Sequence, residues 1–290
     1  MNRMKIRSSK KIILPIQKSW PIVVQTIFKH GPLHLRYRTF GRGPRVLLAF
    51  HGMGQSGTAF SSLGSVLGET FTTYAFDLFF HGESSGLTEP LSKPYWAEIL
   101  RRFLEEKKME RFSVVGFSLG GRLALATLET LYDRIDEIIL IAPDGLAENP
   151  IYTAATRLPG TRHLFRKAVY EPEHFARLAT AARRWRLVPD SVVKLAQWQL
   201  SSPERQQRVY ESWMAFRNLR FSVRRLARIV EEHKIGVTVF AGKTDRVIPL
   251  RRILPFVQAV KGVNFFPLDH GHTFLLEKVA DHYRQARRST

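Results

Sequence analysis

Residues Gly116-Phe117-Ser118-Leu119-Gly120 set a serine between glycines in the pattern G-x-S-x-G. The apolar run Phe112-Ser113-Val114-Val115 precedes them and reads as a buried strand. Gly121-Arg122-Leu123-Ala124-Leu125-Ala126-Thr127-Leu128 follows, rich in strong helix formers. Strand, sharp turn and helix around such a serine make a nucleophile elbow, with the hydroxyl exposed at the tip of the turn. The flanking glycines leave room for strained backbone and close neighbours. Free N–H groups and the dipole at the helix start favour negative charge beside the serine. The chemistry to expect is attack by a serine oxygen on a carbonyl carbon. The bland alternative is a helix that starts at a serine cap.

A serine nucleophile needs a base, an acid that orients it and donors for an oxyanion. The chain offers them after successive candidate strands. Phe50-His51-Gly52-Met53-Gly54-Gln55-Ser56-Gly57 follows the run Val46–Phe50, and a His-Gly turn there would aim a backbone N–H at the oxyanion. The expected donors are the N–H groups of Met53 and Leu119, with His51 fixing the loop. Phe240-Ala241-Gly242-Lys243-Thr244-Asp245-Arg246-Val247-Ile248-Pro249 puts Asp245 in a Gly-opened loop at a strand end, where open α/β sheets place functional groups. Asp144, in Ala142-Pro143-Asp144-Gly145, is the alternative acid. Leu268-Asp269-His270-Gly271-His272-Thr273-Phe274 supplies the base, His272 at a helix entrance, with His270 as the second choice. No Cys and no Glu-x-x-His or carboxylate cluster accompanies these histidines, so neither a metal nor any other cofactor is expected.

The elements that position these residues alternate short apolar runs with helical patterns, the signature of a mostly parallel sheet covered by helices. Candidate strands are Leu33–Phe40, Arg45–Phe50, Thr72–Asp77, Phe112–Phe117, Glu137–Ala142, Gly236–Ala241 and Val263–Pro267. Helical patterns fall near 58–68, 94–107, 119–132, 251–260 and 273–287. From 146 to 229 no good strand is legible. Pro150, Pro159, Pro172, Pro189 and Pro203 break this helix-like stretch, which holds Trp185, Trp198 and Trp213. It reads as a helical insertion between two strands. Residues 1–32 read as a basic N-terminal extension or an edge strand around Ile22–Phe28.

A chain of 290 residues can bury a sizeable core, and its 44% hydrophobic content is ordinary for a globular protein. It has no cysteine, which excludes disulfides and cysteine nucleophiles and makes the cytosol the default compartment. Ile12-Ile13-Leu14-Pro15-Ile16 is too short and interrupted for a signal segment, and no run approaches a membrane span of about 18 apolar residues. The net charge of +20 is concentrated in residues 1–45, with 11 Lys or Arg and no acid, and 157–228, with 16 against five acids. Such a field suits solubility and weak attraction to anionic membrane surfaces. No nucleic-acid module accompanies it.

Together the motifs resemble the α/β-hydrolase fold superfamily, in the group that carries a helical cap. The likeness covers roughly residues 33–290 and rests on five stretches. They are His51-Gly52-Met53-Gly54, Asp77-Leu78-Phe79-Phe80-His81-Gly82-Glu83-Ser84, Gly116–Gly121, Gly242–Pro249 and Gly271-His272. In that family the second stretch usually reads Asp-Leu-Pro-Gly-His-Gly-x-Ser, and Phe79-Phe80 stand here in place of Pro-Gly. The resemblance implies a Ser118, Asp245, His272 triad, an oxyanion hole at Met53 and Leu119, a core of 33–145 and 230–290, and a cap at 146–229. It also implies a small-molecule ester or acyl substrate, with no specific nucleic acid as partner. Cap aromatics such as Trp185 and Trp213 would contribute an apolar substrate site, and the rest would pack the cap itself. Ser118-Leu119-Gly120-Gly121-Arg122 is similar to the elbow of the menaquinone-pathway lyase. That keeps open a carbon–carbon hydrolase or lyase with Arg122 on a substrate carboxylate, against Arg122 as a solvent-facing helix residue. A binding or surface-docking protein without turnover is the remaining alternative.

Overall fold

The computed structural model describes residues 25–148, 150–171 and 190–288. Eight strands form one sheet: β1 Gln25–His30, β2 Leu33–Phe40, β3 Arg45–Phe50, β4 Phe71–Phe76, β5 Phe112–Phe117, β6 Ile135–Ile141, β7 Gly236–Gly242 and β8 Asn264–Leu268. Their order is β1-β2-β4-β3-β5-β6-β7-β8. β2 runs antiparallel to both β1 and β4, and every other neighbouring pair is parallel. Of the edge strand expected around 22–28, residues 25–28 belong to β1, the outer arm of a hairpin turned at Gly31-Pro32. Residues 1–24 lie outside the described part.

The buried strands follow from their sequences. β5 is buried at all six positions, as an apolar run covered on both faces must be. β2 instead alternates, with Leu33, Leu35 and Tyr37 inward and the polar His34 and Arg36 between them. Helices α1 Ser61–Leu67, α2 Lys93–Glu106 and α3 Gly120–Thr130 match the helical patterns. Ser92 caps α2 by accepting from the Tyr95 N–H at 3.3 Å, and Pro94 sits in the first turn, where its missing donor costs nothing.

After β6 the chain forms α4 Pro150–Arg157, α5 Pro159–Tyr170, α6 Asp190–Gln199 and α7 Pro203–Ala215. Among the described residues of 146–229 there is no strand. Prolines open α4, α5 and α7, so three of the five expected breaks act as helix starts. The chain continues with α8 Val223–Glu232, α9 Leu250–Ala259 and α10 Leu275–Arg288. α8 buries Leu226, Ala227, Ile229 and Val230 and turns Arg224, Arg225 and Arg228 outward. α1 packs on α10, while α2, α3, α8 and α9 pack in succession. Because β3, β5, β6, β7 and β8 are parallel, the loops bearing His51, Ser118, Asp144, Asp245 and His272 all leave the same edge of the sheet.

Candidate active site

Ser118 sits between β5 and α3 with φ of +50°, a left-handed backbone that a side chain normally avoids. The surroundings hold it there. Its N–H donates to the Ile141 carbonyl at 3.0 Å, and its carbonyl accepts from the N–H groups of Gly121 and Asp144 at 2.9 and 2.8 Å. The turn needs glycine for closeness. A Cβ on Gly120 would stand 2.0 Å from the Phe50 carbonyl oxygen, and one on Gly116 would stand 2.7 Å from the Ala124 Cβ. The elbow is thereby pressed against the end of β3, beside the Met53 loop.

Three side chains from three loops form one hydrogen-bonded line. His272 Nε2 lies 2.9 Å from Ser118 Oγ, and His272 Nδ1 lies 2.6 Å from Asp245 Oδ2. Asp245 is 4% exposed, and its other oxygen accepts from the N–H groups of Val247 and Ile248 at 2.8 and 2.9 Å. A carboxylate fixed at both oxygens fixes the ring that it holds. The line requires the tautomer with hydrogen on Nδ1, which leaves Nε2 to accept from the serine. The Phe117 ring stacks on His272 at 5.3 Å. Backbone bonds from Lys243 to Leu268 and from Thr244 to His270 tie the loop bearing Asp245 to the loop bearing His272. His270 Nδ1 accepts from the adjacent Gly271 N–H at 3.0 Å and takes no part in this line.

Asp144 is placed differently. Its carboxylate accepts from Arg122 Nε at 2.6 Å and Nη2 at 3.3 Å. Arg122 Nη1 donates to the Leu219 carbonyl at 2.9 Å, and the guanidinium lies 4.2 Å from the Tyr152 ring centroid. At 4% exposure, Arg122 is not the solvent-facing helix residue that the sequence suggested. The reason is the helical segment above α3, which supplies Leu219 and Tyr152 as its ceiling. Trp213, partly buried, packs on Tyr152 at 5.0 Å and Phe165 at 4.9 Å within the same helical segment. Trp185 lies outside the described residues.

The loop after β3 is fixed by its histidine. His51 Nδ1 donates to the Gly52 carbonyl at 2.7 Å, and Nε2 accepts from the Leu78 N–H at 3.0 Å. Only the neutral ring can make both bonds, and burial pushes its pKa down to about 4. Gly52 N–H is held by Gln55 Oε1 at 3.0 Å. Among the described residues, neither the Met53 N–H nor the Leu119 N–H donates to an acceptor. The Asp77–Ser84 stretch keeps its turn despite Phe79-Phe80: Phe80 adopts φ of +65°, and His81 N–H still reaches the Leu78 carbonyl at 2.9 Å. Asp77 holds this turn to the sheet by accepting from Arg38 at 2.6 Å and the Gly57 N–H at 2.7 Å.

Two residues at the end of α6 lie beside the site. A Cβ on Gly54 would meet the Gln199 amide nitrogen at 3.2 Å and the Trp198 ring at 3.5 Å. The end of α6 therefore sits over the loop bearing Met53. Gln199 Oε1 is buried without a hydrogen-bond partner among the described residues. Trp198 is one of the tryptophans that mark 146–229 in the sequence, whereas Gln199 carries no sequence signal, because what places it is the seat of α6 on the core. Among the described residues, no group of three or more His, Asp or Glu side chains could hold a metal.

A model of the alpha/beta hydrolase fold matches residues 45–279. The chain belongs to the alpha/beta hydrolase fold family. Its mostly parallel eight-stranded sheet, flanked by helices, agrees with that membership. An uncharacterised protein of Mycobacterium tuberculosis is 30% identical over 140 residues, 48% of this chain and 40% of that protein. A pimeloyl-[acyl-carrier protein] methyl ester esterase of Edwardsiella ictaluri is 34% identical over 131 residues, 44% of this chain and 46% of that protein. The chain thus spans less than half the length of these two relatives. A solved hydrolase from Pseudomonas aeruginosa superposes with a TM-score of 0.66 at 18% identity, over 90% of this chain and 96% of that one, a likeness of fold. No helix among the described residues is long and apolar enough to cross a membrane.

Proposed function

We propose that this member of the alpha/beta hydrolase family is a serine hydrolase of carboxylic esters or related acyl compounds, with Ser118 as nucleophile, His272 as base and Asp245 as orienting acid. The observation that carries the reading is the line Ser118 Oγ, His272 Nε2, His272 Nδ1, Asp245 Oδ2, with spacings of 2.9 and 2.6 Å. Ser118 attacks the carbonyl carbon while its proton passes to His272 Nε2. Asp245 stabilises the resulting imidazolium through Nδ1–H. The oxyanion takes the Met53 and Leu119 N–H groups, each worth about 3 kcal/mol to such a transition state. His272 then protonates the leaving alcohol. Water, deprotonated by the same nitrogen, releases the acid from Ser118.

In this reading residues 146–229 are the cap. Trp198, 48% exposed beside Gly54, gives the site an apolar wall suited to an acyl chain or an apolar alcohol. The esterase named in Edwardsiella ictaluri supports ester chemistry. The lyase reading relied on Arg122 to hold a substrate carboxylate, and Arg122 is engaged by Asp144, Leu219 and Tyr152. The basic surface would add weak attraction to anionic membranes.

Nitrophenyl esters of increasing acyl length test the proposal. A burst of nitrophenol equivalent to the enzyme, followed by slower turnover, is the expected record of an acyl-enzyme. Absence of both burst and turnover across the series, from folded protein, would overturn it.

A further inference from the structure

Four arginines converge on one cavity of about 450 Å³ in the helical segment. Its walls are Thr156 and Arg157 at the end of α4, Arg162 of α5, and Arg217, Asn218 and Arg220 in the connection from α7 to α8. Their charge is poorly matched. Among the described residues, Glu148 is the one carboxylate paired with any of the four. It binds Arg220 through Nε at 2.6 Å and Nη2 at 2.5 Å, and meets Arg157 at 3.5 Å. Arg217 Nη1 donates to the Met214 carbonyl at 2.9 Å. Arg162 Nε is buried with no hydrogen-bond partner among the described residues.

Among the described residues, four guanidinium groups face one paired carboxylate, an excess of three positive charges around a single space. Folding that brings them together works against their mutual repulsion and leaves a buried donor unmade. A bound anion answers both. One carboxylate would balance a single charge with two oxygens. A phosphoryl group brings close to two negative charges and three acceptor oxygens, and the planar forks of arginine match it. The Thr156 hydroxyl is turned to the Tyr152 carbonyl at 2.7 Å, which leaves the Asn218 amide as the neutral donor on the wall.

We propose that this cavity binds a phosphoryl group, presented as a phosphate monoester on a small molecule or a lipid headgroup. The site shares no lining residue with the Ser118–His272–Asp245 line, and the proposal stands apart from the hydrolase reading. Turnover enters none of its tests.

The full chain is titrated calorimetrically with inorganic phosphate and glycerol 3-phosphate at low salt. It is also sedimented with phosphatidylcholine vesicles with and without phosphatidic acid. Saturable binding that weakens as salt rises is expected in at least one arm. Binding of the soluble phosphates identifies a small-molecule site, and binding only of phosphatidic acid vesicles identifies a headgroup. The double variant Arg162→Gln, Arg217→Gln is expected to weaken binding at least about tenfold, the loss of charge-assisted bonds. The control Arg224→Gln, Arg228→Gln removes the same charge from the outer face of α8 and should change it little. Glu148→Gln removes the competing carboxylate, keeps every arginine and should tighten binding. No saturable binding in either arm, or equal losses in the two double variants, overturns the proposal. Equal losses would mean attraction by the overall charge of the chain.

Discussion

The Arg122 guanidinium grips the Asp144 carboxylate at 2.6 and 3.3 Å, beneath the Tyr152 ring and one helical turn from Ser118. This pair removes an acid from competition for His272 and ties α3 to the helices above it. Arg122→Ala would leave the partly exposed Asp144 carboxylate without its cation and should destabilise the chain by about 1–3 kcal/mol, read as a lower denaturant midpoint. Asp144→Asn should lower stability while the folded fraction keeps its ester turnover. Asp245→Asn should keep the fold and lower kcat by about 10⁴-fold, the effect of a base held in the wrong tautomer. If Asp144→Asn abolished turnover in folded protein and Asp245→Asn did not, the assignment of the acid would be reversed.

That pairing also marks where the sequence stops being legible. The parallel strands were readable because a doubly covered strand must be continuously apolar, as Val46–Phe50 and Ile138–Ile141 are. Asp245 and His272 were readable because glycines open their loops at strand ends. Arg122 was not, since a helical arginine reads as solvated until Leu219 and Tyr152 cover it. Residues 97 and 30 positions away decide its environment, and no periodicity carries that information. Gln199 above Gly54 escaped notice for the same reason.

His51 and His81 make stability depend on pH. Burial, with lesser help from the charges around them, pushes the His51 pKa down to about 4 and the His81 pKa down to about 3. The unfolded chain takes up these protons near pH 6.5, and the folded rings refuse them. Their contribution is complete above pH 6.5 and is lost as pH falls toward 4. A tenfold change in proton affinity is about 1.4 kcal/mol, so the loss amounts to several kcal/mol. Urea midpoints should fall steadily from pH 6.5 to pH 5, above most carboxylate titration. His81→Leu should flatten that slope. A wild-type midpoint constant over this interval would contradict the burial argument.

Two glycine substitutions should differ sharply. Gly120→Ala forces a Cβ to 2.0 Å from the Phe50 carbonyl oxygen and 2.7 Å from that of His51. Backbone must move, at a cost of roughly 3 kcal/mol or more, and the loop bearing Met53 moves with it. Loss of turnover alongside a lowered melting temperature is expected. Gly160→Ala, in α5 with nothing within 4 Å of its Cβ, should stabilise by up to about 1 kcal/mol. Similar melting temperatures for the two variants would contradict the packing at the elbow.

The central claim is that Ser118 is a nucleophile activated by His272. Labelling with a fluorophosphonate, followed by mass spectrometry of the adduct, tests it most directly. One adduct is expected, on Ser118, absent from Ser118→Ala and lost or greatly slowed in His272→Ala. A folded protein that stays unlabelled, or an adduct that persists in Ser118→Ala, would contradict it.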